Sequence, residues 1–226
     1  MKILHIDTSS KNCSVAISDG LQLLCSCEET SENYRQSESL HTFITWALEG
    51  AHLELRDIDA VSLGRGPGSY TGLRIGAAAA KGFCYALDIP LVGINSLETM
   101  IEPFLGQQYD YIIPLLDARR MEVYTAVFHG KTGEMLSETE ALVLEEDSFS
   151  NYSNSKVLFA GDGVRKAQEI LRLPHAQYKP DVYPSAKYLI KKAHQKISLQ
   201  DWEDVAYFEP FYLKEFQGVK KKNSSE

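Results

Sequence analysis

The feature that most constrains the fold is a glycine-rich run that leads directly into an alanine-rich run. Residues 64–76 read GRGPGSYTGLRIG, and residues 77–80 are all alanine. Four glycines and a proline within residues 64–72 indicate a sharply turning backbone, whereas alanine has the highest helix propensity. The pattern predicts a strand at residues 60–63, then a tight loop, and then a helix that ends near Leu87.

The loop itself is a candidate phosphate site, because backbone N–H groups at a helix N-terminus favour an anion. The known fingerprints do not fit it. The Walker A pattern requires glycine at the sixth place, where Ser69 stands if counting begins at Gly64. The dinucleotide pattern that begins at Gly66 ends on Thr71 instead of glycine. The spacing therefore favours a turn that seats the helix close to its neighbours.

The helix that follows carries rows of small and apolar residues and almost no charge. Between residues 73 and 87 only Arg74 and Lys81 are charged, so the helix should be covered on more than one side. Glycine inside a helix costs about 1 kcal/mol relative to alanine, which indicates a packing reason, and we predict the close approach of a second helix. The candidate partner interface consists of Gly72, Leu73, Gly76, Ala77, Ala80, Cys84 and Leu87.

Composition limits the class of protein. The 226 residues are 44% hydrophobic, enough for a core and for one large or two small domains. No apolar run reaches the 18 residues or so that a membrane span requires, and the first residues predict a strand, so we expect no membrane association and a cytoplasmic location. The net charge of −8 disfavours direct binding of nucleic acid. The basic run at residues 220–222 is interpreted as a solvated tail.

The order of elements predicts an internal duplication. The first half is predicted as β-β-β-α-β-α-β, and residues 113–117 match residues 3–7 at an offset of 110, which also places Ala126 and Val127 on Ala16 and Ile17. Residues 157–163 repeat the strand and glycine-rich turn of residues 61–66. We predict a duplicated α/β architecture of the actin-like ATPase (ribonuclease H-like) kind, with two β-β-β-α-β-α units. The first lobe is residues 1–104, and the shorter second lobe is residues 105–226, whose C-terminal tail packs back or frays.

Four segments together resemble one protein family. They read MKILHIDTS at residues 1–9, GRGPGSYTGLRIG at 64–76, INSLE at 94–98 and DARRMEVY at 117–124. This combination is similar to the bacterial TsaB (YeaZ) family, strongly over residues 1–128 and loosely beyond. The resemblance implies a role in making threonylcarbamoyladenosine next to the anticodon of tRNAs. It implies dimerisation with the catalytic paralogue TsaD, or with itself when TsaD is absent, a TsaE-like P-loop ATPase as a further partner, and only indirect contact with tRNA.

The same resemblance implies that the chain is not the catalyst. In TsaD a metal-binding His-x-x-x-His follows the strand after the glycine-rich loop and helix, and the corresponding positions here are Ser96 and Met100. Serine is a poor ligand for iron or zinc, and a thioether favours soft metals. We therefore expect no catalytic metal and no cofactor. Binding of ATP or ADP at a subunit interface is the alternative that the sequence does not exclude.

The alternative function is a stand-alone nucleotide-binding hydrolase or kinase of the same superfamily. It depends on Asp7, Thr8 and Ser9 as a vestigial nucleotide or anion loop, because Asp7 and Asp117 end equivalent strands where an actin-like ATPase contacts metal-bound water and phosphate. The competing interpretation of these residues is ordinary hairpin-turn structure, which we favour.

Other side chains offer little chemistry. No serine or threonine has a base placed beside it by a motif, and His5 is predicted to be a hydrogen-bonded structural residue. Cys13, Cys25, Cys27 and Cys84 are expected to be reduced packing residues.

Overall fold

The computed structural model of the protein describes residues 1–31 and 36–214. The basic run at residues 220–222 lies outside the described residues. The first sheet has five strands in the order β3-β2-β1-β4-β5. The first three strands pair antiparallel as a meander, and β1, β4 and β5 run parallel. The elements are β1 (Lys2–Asp7), β2 (Asn12–Asp19), β3 (Gln22–Thr30), α1 (Gln36–Gly50), β4 (Ala60–Gly66), α2 (Tyr70–Leu87) and β5 (Leu91–Asn95).

The second sheet repeats this topology. Its order is β11-β10-β6-β7-β9, in which β6 pairs antiparallel with β7 and parallel with β10, as β1 does with β2 and β4. The predicted duplicated α/β architecture is therefore confirmed. The elements are α3 (Ser96–Ile101), β6 (Tyr111–Asp117), β7 (Glu122–Thr125), β8 (Phe128–His129), β9 (Glu140–Val143), β10 (Val157–Gly161), α4 (Val164–Ile170), β11 (Ala176–Pro180) and α5 (Ile190–Ser198).

The two copies differ in two details. Between β9 and β10, in a segment that is described throughout, a 3-10 turn at Ser150–Tyr152 stands where the predicted helix of the second unit was expected. The second hairpin is also one residue shorter. Ala16 pairs with His5, and the equivalent partner of Leu115 is Thr125, so the predicted match of Ala16 to Ala126 is wrong by one residue.

The core of the first lobe lies between its sheet and helices α1 and α2. Leu4 and Val15 of the sheet share one buried cluster with Leu40 of α1 and with Ala77 and Ala80 of α2. Strand β1 is buried on both faces, which explains its nearly continuous apolar sequence. All four cysteines are free thiols, as predicted.

Helices cross between the two halves of the sequence. Leu97 and Met100 of α3 pack with Phe128 in the core of the second sheet. Conversely, Leu189 and Ala193 from the second half of the sequence share a buried cluster with Ala16, Val92 and Ile94 of the first sheet. The late helical segment begins as a 3-10 turn at Ala186–Leu189 and continues as α5. The lobe boundary at residue 104 stays a prediction. Within the described ranges, no helix combines the length and apolar character that a membrane crossing requires.

Candidate functional site

The glycine-rich turn places the start of α2 directly against the turn between β1 and β2. A Cβ on Gly68 would lie 2.1 Å from the carbonyl oxygen of Ser9, and one on Gly72 would lie 2.0 Å from that of Thr8. The Ser69 backbone N–H donates to the Ser9 carbonyl oxygen at 2.6 Å, and the Ser69 hydroxyl caps the helix by accepting from the Gly72 N–H. The turn therefore seats the helix, which is the packing interpretation that the spacing favoured.

The row of small residues on α2 faces the chain's own core. A Cβ on Gly76 would meet the Thr8 hydroxyl at 2.4 Å and Leu63 at 3.0 Å, so the close neighbour is the β1–β2 turn and not a second helix. Six of the seven residues predicted as a partner interface are buried, and Leu87 is partly exposed. This corrects the assignment of those six residues, because a side chain that already packs inside the fold has no surface for a partner, whereas the assignment of Leu87 stays a prediction. The predicted set is Gly72, Leu73, Gly76, Ala77, Ala80, Cys84 and Leu87.

The opposite side of the same helix is open. We call the α1–α2 face the exposed surface of α2 beside α1, formed by Ala78, Gly82 and Tyr85. The helices lie side by side, with the rings of His41 and Phe83 edge to face at 6.1 Å. Tyr85 is 87% exposed. Nothing lies within 4 Å of a Cβ built on Gly82. Sequence reasoning missed this face, although the i, i+4, i+7 spacing of its α2 residues could have indicated it.

The predicted anion loop is buried. Asp7, Thr8 and Ser9 are all 0% exposed. The Oδ1 of Asp7 accepts hydrogen bonds from the backbone N–H and the hydroxyl of Ser9, at 2.9 and 2.6 Å, and the Thr8 hydroxyl donates to the Gly72 carbonyl oxygen at 2.7 Å. The loop's polar groups are therefore used to hold the turn and the start of α2 together, which gives these residues a structural role.

Asp7 retains one unsatisfied atom. Its Oδ2 is buried beside Gly64 and has no hydrogen-bond partner among the described residues. Burial raises the pKa of Asp7 to about 6, against the lowering effect of the hydrogen bonds from Ser9. Near neutral pH the protein therefore carries a buried carboxylate whose charge is opposed by its surroundings.

The second copy uses its aspartate in the same way. The Oδ1 of Asp117 accepts from the Arg119 N–H at 2.6 Å, as the Oδ1 of Asp7 accepts from the N–H of Ser9. Both aspartates thus form the side-chain-to-backbone bond typical of an Asx turn. Lys166 donates a hydrogen bond to Asp117 at 2.8 Å. The pKa of the neighbouring Asp162 is raised to about 6, mainly by burial and also by the negative charge of Asp117. Both turns therefore have the hydrogen bonds that the hairpin-turn interpretation predicts, and the alternative of a nucleotide or anion loop at Asp7, Thr8 and Ser9 stays a prediction.

Ser96 and Met100, the positions that the resemblance assigns to the TsaD metal ligands, are both buried. Ser96 is 0% exposed, and its hydroxyl accepts from the Gly66 N–H at 3.1 Å. Met100 is 0% exposed in the core of the second sheet. In the part of the chain that the structure describes, no three His, Cys, Asp or Glu side chains are grouped so that they could hold a metal ion.

Among the described residues, His5 is a histidine whose ring contacts serine hydroxyls, an arrangement that is also found in serine hydrolases. Its ring nitrogens lie 2.6 Å from the Ser62 hydroxyl and 2.8 Å from the Ser18 hydroxyl. The ring is 0% exposed, and burial lowers the pKa of His5 to about 3, so it is neutral and out of reach of a substrate. This geometry confirms the predicted structural histidine.

Comparison with known proteins supports the family resemblance seen in the sequence. The sequence model described as "TsaD: tRNA N6-adenosine threonylcarbamoyltransferase" matches residues 28–208. The TsaB protein of Bacillus subtilis is 30% identical over 71% of this chain and 71% of its own length. The chain belongs to the TsaB family, within the wider family that the TsaD model describes.

Further relatives extend the match over the whole chain. The TsaB protein of Haemophilus influenzae is 28% identical over 95% of this chain and 94% of its own length. The crystal structure of YeaZ from Pseudomonas aeruginosa superimposes with a TM-score of 0.81 at 25% identity, covering 94% of this chain and 99% of that one. Membership of the TsaB family places the chain among the proteins of tRNA threonylcarbamoyladenosine biosynthesis.

Proposed function

We propose that this chain is the non-catalytic partner of a TsaD-type transferase in threonylcarbamoyl transfer to the tRNA adenosine next to the anticodon. In this proposal the chain pairs with TsaD through the α1–α2 face, and with a second copy of itself through the same face when TsaD is absent. A TsaE-like P-loop ATPase joins the assembly. The net charge of −8 supports indirect contact with tRNA through the partner, because an acidic surface repels phosphates.

The observation that carries the proposal is the α1–α2 face itself. Large aromatic side chains that are exposed to solvent are enriched at protein interfaces, and Tyr85 is 87% exposed. Ala78 and Gly82 present almost no side chain, and the space above Gly82 is empty. A surface of small residues beside an exposed aromatic ring allows the backbone of a partner helix to approach closely while the ring buries area next to it.

The proposal that this chain is not catalytic is supported by the burial and the internal hydrogen bonds of its candidate polar groups. Ser96 and Met100 are buried where TsaD has metal ligands, and the hydroxyls and carboxylate of residues 7–9 are bonded within the fold apart from the Oδ2 of Asp7. His5 is neutral and enclosed. A substrate would find none of these groups at a surface.

The test is a substitution that blocks the α1–α2 face without touching the core. Gly82→Arg adds a long charged side chain at the open position, and Gln168→Arg on α4 is the matched control, because it adds the same charge at another exposed helix position. Co-purification with the TsaD homologue of the same organism, and sedimentation of the isolated chain, are the measurements. We expect Gly82→Arg to abolish both associations and Gln168→Arg to leave both intact.

The exposed aromatic residue of the face provides a second test. Tyr85→Ala should weaken association by about tenfold or more, as truncation of an interface aromatic residue typically does. Circular dichroism checks that every variant keeps its fold. Unchanged association of Gly82→Arg would refute the assignment of this face, whereas loss in both arginine variants would show that added charge alone, and not the face, is responsible.

A further inference from the structure

A second site lies away from the α1–α2 face, where β4 and β5 end. A cleft of about 460 Å³ opens there between the two halves of the molecule. One wall is the β5–α3 junction, the second is the segment 135–139, and the third is the C-terminal segment, whose Phe211 N–H donates to the Arg65 carbonyl oxygen at 2.7 Å. The walls are tied together, since the Asn95 side-chain amide donates to the Thr139 hydroxyl at 2.8 Å.

Arg65 in this cleft has unused hydrogen-bonding capacity. A guanidinium carries five N–H donors, yet that of Arg65 makes no hydrogen bond within the described residues, and its Nε is buried without a partner. Its contacts are an ion pair with Glu203 at 3.6 Å and the face of the Phe211 ring at 5.9 Å. The side chain remains 41% exposed. A planar guanidinium held against an aromatic ring is suited to bind a carboxylate or phosphate.

The other charges of the cleft decide between those two anions. Lys196 is paired with Asp201 at 2.8 Å, and Glu98 with Lys192 at 3.4 Å. Glu138 lines the same cleft, and its carboxylate has no hydrogen bond or ion pair to any residue that the structure describes. The groups with unused hydrogen-bonding capacity are therefore the Arg65 guanidinium, whose ion pair with Glu203 at 3.6 Å is longer than a hydrogen bond, and the Glu138 carboxylate. A dianionic phosphate would be repelled by the carboxylates, whereas a ligand with one charge of each sign matches them.

The remaining lining adds apolar surface and one free donor. Ile94, Met135 and Phe211 contribute apolar walls. The Thr139 hydroxyl accepts from Asn95, so its own hydrogen is available to a ligand oxygen. We propose that this cleft binds a free α-amino acid with an apolar side chain. Its carboxylate binds Arg65, its ammonium group binds Glu138, and its side chain packs against Phe211 and Met135.

The experiment is isothermal titration of the full chain with L-leucine. Two analogues dissect the recognition: L-leucinamide lacks the carboxylate, and 4-methylpentanoate lacks the ammonium group. We expect saturable binding of L-leucine and a loss of at least about tenfold in affinity for each analogue, because each analogue leaves the hydrogen bonds of one charged group of the cleft unmade. Arg65→Gln and Glu138→Gln should weaken L-leucine binding to a similar extent. Arg56→Gln is the matched control, since Arg56 pairs with Glu54 on the surface outside this cleft.

Each outcome decides the proposal. No binding of L-leucine, L-methionine or L-phenylalanine up to about 10 mM, where even a weak millimolar site is detected, overturns it. Equal binding of L-leucinamide removes the carboxylate contact, and tighter binding of inorganic phosphate than of L-leucine shows a plain anion site; both overturn it. An equal loss in Arg56→Gln shows that the effect is not local to the cleft. Should Arg65→Gln fail to fold, Glu138→Gln alone carries the test, because Glu138 is exposed.

Discussion

The substitution Asp7→Asn tests the electrostatics of the turn that holds α2. Asp7 is fully buried, and its pKa rises from 3.8 to about 6 because burial disfavours the carboxylate. The native state therefore holds this proton more tightly than the unfolded chain does. The protonated residue stabilises the fold below the unfolded pKa near 3.8, and that stability is lost as the pH rises through about 6.

The size of the effect follows from the two pKa values. At about 1.4 kcal/mol per pKa unit, the rise from 3.8 to about 6 corresponds to about 3 kcal/mol of destabilisation once Asp7 is ionised. Asparagine keeps the Oδ1 acceptor for Ser9 and cannot ionise. Its amide group beside Gly64 adds a cost of about 1–3 kcal/mol if unpaired, but this cost does not vary with pH. The difference in free energy of unfolding, Asp7→Asn minus wild type, should therefore rise as the pH increases from 4 to 7.5. The rise should be most of the value of about 3 kcal/mol.

The assay is urea unfolding of both proteins across that pH range. The difference between the two curves is the informative quantity, because His5 also titrates and acts in the opposite direction. Its pKa of about 3 means that protonation of the unfolded chain below pH 6.5 removes stability from both proteins equally, so this contribution cancels. A difference that stays constant with pH, or that favours wild type as the pH rises, would refute the reasoning.

Three further predictions concern packing and burial. Gly72→Ala should destabilise the protein by about 2 kcal/mol or more in urea unfolding, because the new Cβ would lie 2.0 Å from the Thr8 carbonyl oxygen. Gly82→Ala in the same helix should stabilise the monomeric chain by about 1 kcal/mol, measured at a concentration too low for self-association, since its Cβ meets nothing within 4 Å; equal effects of the two substitutions would contradict the packing described here. The thiols of Cys13 and Cys84, whose pKa values burial raises to about 12, should react with iodoacetamide at pH 8 only on unfolding; labelling of either in the native protein would show that its site opens to solvent.

Local pattern was enough to predict most of the elements and the duplication. Short apolar runs mark β1 and β2, and the repeated strand and aspartate at residues 7 and 117 reveal the second copy. These signals depend on neighbours along the chain. The prediction was wrong where the second copy diverges, at the shortened hairpin and the missing helix after β9, because a repeat aligned at a constant offset hides deletions.

The sites were less predictable, because they depend on segments far apart in sequence. The small residues of α2 were visible as a row, but the sequence did not show that the backbone of Thr8, and not a partner, covers it. Once that side is buried, the exposed side with Tyr85 and Gly82 becomes the surface available for pairing. The cleft at Arg65 exists only because the C-terminal segment returns to β4 and places Phe211 beside the guanidinium.

The sequence by itself determined the fold class, the family and the lack of metal-ligand residue types at positions 96 and 100, since each depends on residue identity and local order. Tertiary structure alone decided which face of α2 is free, whether Asp7 is solvated, and which charges share a cleft. Burial and the pairing of charges are properties of the space around a side chain. That space is built from strands and turns tens of residues away, and no local pattern encodes it.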